Sequence, residues 1–231
     1  MKRYINSFIV AAFLLLLASR FACSQTSVRL GADIGMNFAN QSLSYAQPSG
    51  IPNSSRVGLT VGGIAELCIS DLLYIQAEPR YIQKGMKETG FAITINDPNP
   101  VGYADLVFKL DYLEIPVLVK AKFGTTDFKP FVFAGPNIGF LLSAKRDLEG
   151  YDVEQVGLQK SFDAKDNYKS LDVSLDLGGG GEYQLATKVS LLATARYSLG
   201  LTAVNNETNS APGTTIKSYG IQILIGALFN L

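Results

Sequence analysis

The last fourteen residues constrain the fold more than any other stretch. From Ser218 to Leu231, an extended chain would place Tyr219, Ile221, Ile223, Ile225, Ala227, Phe229 and Leu231 on one side. Ser218, Gly220, Gln222, Leu224, Gly226, Leu228 and Asn230 would fall on the other. Strand side chains alternate faces with period 2, whereas a helix would scatter these residues around its axis. One face is therefore apolar without a break, and the opposite face is mostly small or amide-bearing.

The pattern recurs seven more times. Apolar faces run through Val28–Phe38, Val57–Ile69, Leu73–Tyr81, Leu113–Phe123, Val132–Leu142, Leu171–Tyr183 and Val189–Leu201. Three connections are short: Ser70–Asp71, Gly124–Phe128 and Leu185–Lys188. Four are long: Asn40–Arg56, Glu88–Asp105, Lys145–Lys169 and Val204–Lys217. Short and long connections alternate strictly.

No apolar stretch approaches the ~20 residues that a membrane-crossing helix needs. Only 17% of residues are charged, against a usual ~25%. Twenty acidic and twenty basic residues cancel, so neither a nucleic-acid partner nor a solvating tail is indicated. The chain has no histidine, which excludes histidine-based catalysis and histidine metal ligation.

The N-terminus has the layout of a secretory signal: Lys2 and Arg3, an apolar core from Phe8 to Ala18, then small residues. Cleavage is expected between Ser24 and Gln25, dividing the chain into a signal peptide, 1–24, and a mature domain, 25–231. A competing reading makes Cys23 a lipidated first residue. With cleavage after Ser24, Cys68 is left alone and serves as a small side chain within a strand.

An exported chain with eight amphipathic strands and no spanning helix can enter a bilayer only as a closed barrel, since lipid offers no partner to an open sheet edge. The expected fold is all-β, an eight-stranded antiparallel transmembrane β-barrel with up-and-down meander topology, in the bacterial outer membrane. The three short turns would face the periplasm and the four long loops the outside. A soluble eight-stranded barrel would show the same alternation with its apolar face turned inward. The polar faces here carry Gly, Ser, Thr and Gln rather than the dense Lys and Glu of a water-facing wall, which favours the membrane.

In that orientation Glu66, Glu78, Arg80, Glu114, Lys120, Lys122, Asp172, Asp176, Glu182 and Arg196 point into the lumen. Side chains fill an eight-stranded barrel, so its charges must pair. A structural network of ion pairs is expected. A paired-carboxylate catalytic site has no nucleophile or metal motif beside it, so no catalytic residue, cofactor or metal site is assigned. Gly178–Gly181 lacks the Lys-Ser/Thr sequel of a phosphate loop and is expected to relieve crowding by bulky neighbours or to let the strand bend. Pro79, Pro116, Pro130 and Pro136 each remove a ladder donor, so bulges or strand starts are expected there. Tyr81, Tyr183, Tyr197, Tyr219, Phe123, Phe140 and Phe229 are candidates for interfacial aromatic girdles.

Four segments carry a family resemblance: Gly31-Ala-Asp-Ile-Gly-Met-Asn37, Tyr112-Leu-Glu-Ile-Pro-Val-Leu-Val-Lys120, Lys129-Pro-Phe-Val-Phe-Ala-Gly-Pro136 and Arg196-Tyr-Ser-Leu-Gly-Leu-Thr202. Across the mature chain they resemble the PorT-type outer-membrane β-barrel family of Bacteroidetes. The resemblance implies an eight-stranded outer-membrane barrel and supplies no catalytic residues to carry over; one member of that family is associated with export of secreted proteases, and most have no assigned activity. The chain ends in Leu231, where outer-membrane barrels often end in an aromatic residue. Tyr219, Phe229 and Leu231 are assigned as the C-terminal insertion signal. Expected partners are outer-membrane lipid, the barrel-insertion machinery, and an extracellular or secretion-complex protein. Three roles follow: a structural or interaction barrel acting through its long loops, an accessory factor for protein secretion, and a small pore or enzyme.

Overall fold

In a computed structural model, residues 28–44, 53–94, 99–124, 126–206 and 213–231 are described. The signal segment with Cys23, and Pro48, Gly50, Pro52, Asp97 and Pro98 of two long loops, lie outside them. The described chain forms ten strands: β1 (Val28–Ser44), β2 (Asn53–Cys68), β3 (Leu73–Ala77), β4 (Arg80–Ile93), β5 (Gly102–Lys122), β6 (Phe128–Glu149), β7 (Ser161–Asp163), β8 (Leu171–Ala186), β9 (Val189–Gly200) and β10 (Thr215–Asn230). Every pairing is antiparallel, and β10 pairs with both β9 and β1. β3 and β4 together occupy one place between β2 and β5, and β7 adds to β6 outside the ring. Eight strand positions therefore close into a ring, an all-β antiparallel meander.

Pro79 explains why one expected strand is two. It lies in the gap between Ala77 and Arg80, where its missing N–H leaves no ladder donor. Neighbouring groups hold the break: the Glu78 N–H donates to the Pro116 carbonyl at 3.1 Å, and the Gly63 N–H to the Pro79 carbonyl at 2.9 Å. Pro130 stands near the start of β6. Pro116 and Pro136 contradict the expectation of a strand start or bulge, because both lie mid-strand. Between them the β5–β6 register is unchanged, but pairing lapses from Pro116–Asn137 to Val119–Ala134.

The wall is apolar on its outer face. Leu30, Ile34, Met36 and Phe38 of β1 are exposed, as are Val132, Ile138, Phe140 and Leu142 of β6 and Ile221, Ile223, Ile225 and Phe229 of β10. The apolar run from Val28 to Phe38 is about eleven residues long, or ~36 Å of strand. At a tilt of ~40° it stands roughly 28 Å tall, close to the ~25 Å apolar band of outer-membrane barrels. Of the girdle candidates, Phe123, Tyr183 and Phe229 lie near the short-turn end and Tyr81, Phe140 and Tyr219 at the far end.

The strands do not stop where the apolar alternation stops. β4 continues to Ile93, β5 begins at Gly102 and β6 runs on to Glu149, so much of two expected loops is paired strand. On the outer face of β5, Leu113 gives way to Asp111 and then Lys109, which marks the level where lipid ends and water begins. Beyond it the β5 segment from Gly102 to Asp111 reaches ~30 Å along the strand. With β4, β6 and the short β7 it forms a tower with its own small core of Ile93, Ala104, Leu148 and Val153.

Gly178–Gly181 relieves crowding. A Cβ on Gly178 or Gly180 would lie 2.7 Å from the ring of Phe133 or Phe131 inside the barrel, and one on Gly181 would strike the Phe128 ring outside.

Candidate functional site

The lumen gathers most of the buried charge, in three groups set by strand alternation. Near the short-turn end, Arg29 of β1 donates to Glu66 of β2 at 2.9 Å and to Glu182 of β8 at 2.5 Å. Lys122 of β5 bridges the same two carboxylates at 2.7 and 2.5 Å. Lys120 reaches Glu66 at 3.2 Å and donates to the Gln76 side-chain Oε1 at 3.0 Å. The Tyr74 ring offers its face to Arg29 and Lys122, with cation-to-centroid distances of 5.7 and 4.2 Å. Five strands are thus tied across the mouth.

Above this group Ile64, Leu118, Phe131, Phe133, Leu192 and Leu228 form a buried apolar cluster across the lumen. Next comes Glu78, shared by two arginines: it pairs with Arg80 and receives Arg196 at 2.5 Å. Arg196 also reaches Asp176 at 3.3 Å, Ser198 donates to Asp176 at 2.6 Å, and Arg80 donates to the Gln222 side chain at 2.9 Å. In the third group Lys84 pairs with Glu114 and reaches Asp172 at 3.1 Å. At the far end Ile82, Leu110, Tyr112 and Leu141 meet Ala164, Tyr168 and Val204 of the long loops in a second apolar cluster.

All ten charged residues assigned to the lumen from sequence are buried: Glu66, Glu78, Arg80, Glu114, Lys120, Lys122, Asp172, Asp176, Glu182 and Arg196. They divide among three groups rather than forming one network. Arg29, Asp33 and Lys84 were missed, although their positions already showed them: Arg29 and Asp33 sit on the polar period-2 face of β1, and Lys84 shares its face of β4 with Arg80. Tyr219, Phe229 and Leu231 face outward along and just beyond β10.

On the water-facing tower, Lys87 meets Asp105 at 2.7 Å, and Lys109 meets both Asp147 and Glu149 at 2.7 Å. The hydrogen bond from Lys87 holds the Asp105 carboxyl below its ordinary value of 3.8. At Asp147 partial burial pushes the value up, but hydrogen bonds from Lys109 and the Ser161 hydroxyl outweigh it, so the net shift is downward. Depressed carboxylates stabilise the fold fully above the unfolded value, and that contribution is lost as pH falls through the lower folded values. Tower protection against hydrogen exchange is therefore expected to hold from neutral pH to about 5 and to weaken below 3.8. Lys109→Ala is expected to cost only ~0.2–1 kcal/mol in a urea titration, because the pairs are partly exposed and screened by solvent.

An apolar outer band, a charged interior and a closed ring of strands define a transmembrane barrel of the outer-membrane type. Residues 23–206 match the family model described as an outer membrane protein beta-barrel domain, and the chain belongs to that family. The protein is accordingly a bacterial outer-membrane protein. Solved structures of similar fold include Neisserial surface protein A (17% identity, TM-score 0.48, covering 87% of this chain and 96% of that one). OprG from Pseudomonas aeruginosa is 12% identical, with TM-score 0.48 and coverage of 90% and 97%. The Escherichia coli outer membrane protease OmpT is 8% identical, with TM-score 0.47 and coverage of 89% and 97%. No curated protein matches by sequence. None of these likenesses transfers an activity to this chain.

Proposed function

We propose that this is a non-enzymatic outer-membrane barrel whose filled lumen is a structural plug and whose tower and long loops bind a partner outside the cell. The observation that carries the reading is the contrast between the two ends of β5 and β6. Within the membrane their inward side chains are spent on packing and ion pairs. Beyond it they build a separately cored tower that the membrane wall does not need. Tyr103 and Val101 near its tip remain exposed to water, as an apolar contact surface would.

Tyr103→Ser together with Val101→Ser tests this. Cells displaying the variant are expected to insert as much barrel as wild type while losing adhesion to, or capture of, the extracellular partner. Unchanged adhesion would contradict the proposal. Deleting Asp147 to Lys165 outright is a poor test, because it removes the end of β6 and takes Ala164 from the cluster that closes the mouth. The plug reading also predicts no stepwise conductance above background in planar bilayers, and steady openings would contradict it.

The PorT-type resemblance supports a second reading, an accessory role in protein secretion. Its motifs supply Glu114, Lys120, Phe131, Phe133 and Arg196, all buried in the lumen, so they explain the barrel before they explain any partner. Normal secretion by a deletion strain would end that reading. The outward Phe229 and Tyr219, with the terminal Leu231, are proposed as the signal read by the insertion machinery.

A further inference from the structure

β1 and β10 are the first and last strands of the ring, and their junction closes it. At that junction Asn37 of β1 stands directly opposite Gln222 of β10, and Gln41 opposite Ser218. Asn37, Ser218 and Gln222 border a cavity of about 10 Å³ with Gly220, Lys84 and Ser198. Asn37 is 2% exposed, Ser218 5% and Gln222 0%. In each of the three, one polar atom has no protein partner: Asn37 Oδ1, Ser218 Oγ and Gln222 Nε2.

Both amide orientations are fixed by partners that work in one direction only. Arg80 can only donate, and it donates to Gln222 Oε1 at 2.9 Å, so the remaining Gln222 atom is the donor Nε2. The Gln83 carbonyl can only accept, and it takes a hydrogen bond from Asn37 Nδ2 at 2.8 Å, which leaves the acceptor Oδ1. The cavity thus offers one donor, one acceptor and one hydroxyl able to be either.

We propose that this cavity is a binding site for a single resident water molecule that joins the first and last strands from inside. Such a water accepts from Gln222 Nε2, donates to Asn37 Oδ1 and exchanges a hydrogen bond with Ser218 Oγ. Its volume is at the ~10–15 Å³ minimum for one water, and three partners is the usual number for a buried one. The same size excludes larger ligands. Lys84 on the rim disfavours a cation, and its ammonium is already neutralised by Glu114 and Asp172, which removes the attraction for an anion. Without the water three buried polar atoms in a low-dielectric lumen would go unsatisfied.

Gly220 provides the control. A Cβ there would lie 2.9 Å from Asn37 Oδ1, so Gly220→Ala fills the space where the water sits. The full mature protein, refolded in micelles with isotope-labelled side-chain amides, is to be examined for magnetisation transfer from water. The Gln222 side-chain amide is expected to show a long-lived water cross-peak in wild type and to lose it in Gly220→Ala. A wild-type crystal structure provides a readout independent of variant folding. A solvent peak within hydrogen-bond reach of all three atoms supports the site. A direct hydrogen bond between Asn37 Oδ1 and Ser218 Oγ with no solvent between them, or no water cross-peak at Gln222, overturns it.

Discussion

Glu78→Leu is expected to lower the unfolding free energy of the vesicle-embedded barrel by about 3–5 kcal/mol, the usual cost of removing one partner from a buried ion pair. Glu78 is 1% exposed and lies between Arg80 and Arg196, themselves 1% and 2% exposed. Its carboxylate is the only group bonded to both guanidiniums among the described residues. Arg196 would keep Asp176 and Arg80 would keep Gln222, but the two cations would be left facing each other across a dry interior. The double variant Glu78→Leu with Arg80→Met removes charge of both signs and is expected to lose less than the single variant, because the cost lies in the orphaned charge rather than in the lost pair. Urea unfolding of the three proteins in vesicles decides it. A single-variant loss under ~1 kcal/mol would mean that water reaches the site and that the lumen is not sealed.

Ile225→Arg has the second largest expected effect, about 2–4 kcal/mol, the cost of arginine facing lipid at the bilayer midplane. Ile225 is two-thirds exposed and pairs with Ile34 on one side and Ala193 on the other, at the middle of the apolar band. Leu231→Lys, at the edge of the same face, is expected to cost only ~0–1 kcal/mol. The gradient matters more than either value. A water-facing wall would accept either cation with almost no change.

Much of this fold was legible because lipid imposes a pattern that water does not. From Val28 to Phe38 and from Tyr219 to Phe229, every second residue is apolar because one face meets hydrocarbon, and the structure places each of these strands there. Even β6, with the least regular alternation, sends Phe131 and Phe133 inward and Val132 outward as its register requires. The pattern ends with the bilayer but the strands do not. Past Leu113 the apolar residues change face: Ala104, Leu106, Phe108 and Leu110 turn inward while Asp105, Lys109 and Asp111 face out. The lipid pattern therefore stops while the ladder continues, and Gly102–Asp105 was expected to be loop. Pro79 showed where a strand must break, yet Pro116 and Pro136 sit mid-strand because a local lapse in pairing accommodates them. Burial of the lumen residues followed from parity alone. Which carboxylate meets which cation depends on strand stagger around the ring, which no single strand encodes. Glu66 and Glu182 share Arg29 and Lys122 although β2 and β8 are not neighbours.

The central claim is that lipid touches the odd-numbered face of β10 and the lumen holds the even-numbered one. Single probes attached in turn from Tyr219 to Leu228, in vesicles containing a lipid-phase quencher, test it most directly. Quenching is expected to alternate, strong at 219, 221, 223, 225 and 227 and weak at 220, 222, 224, 226 and 228. Strong quenching at the even positions, or uniform quenching along the strand, would contradict the account.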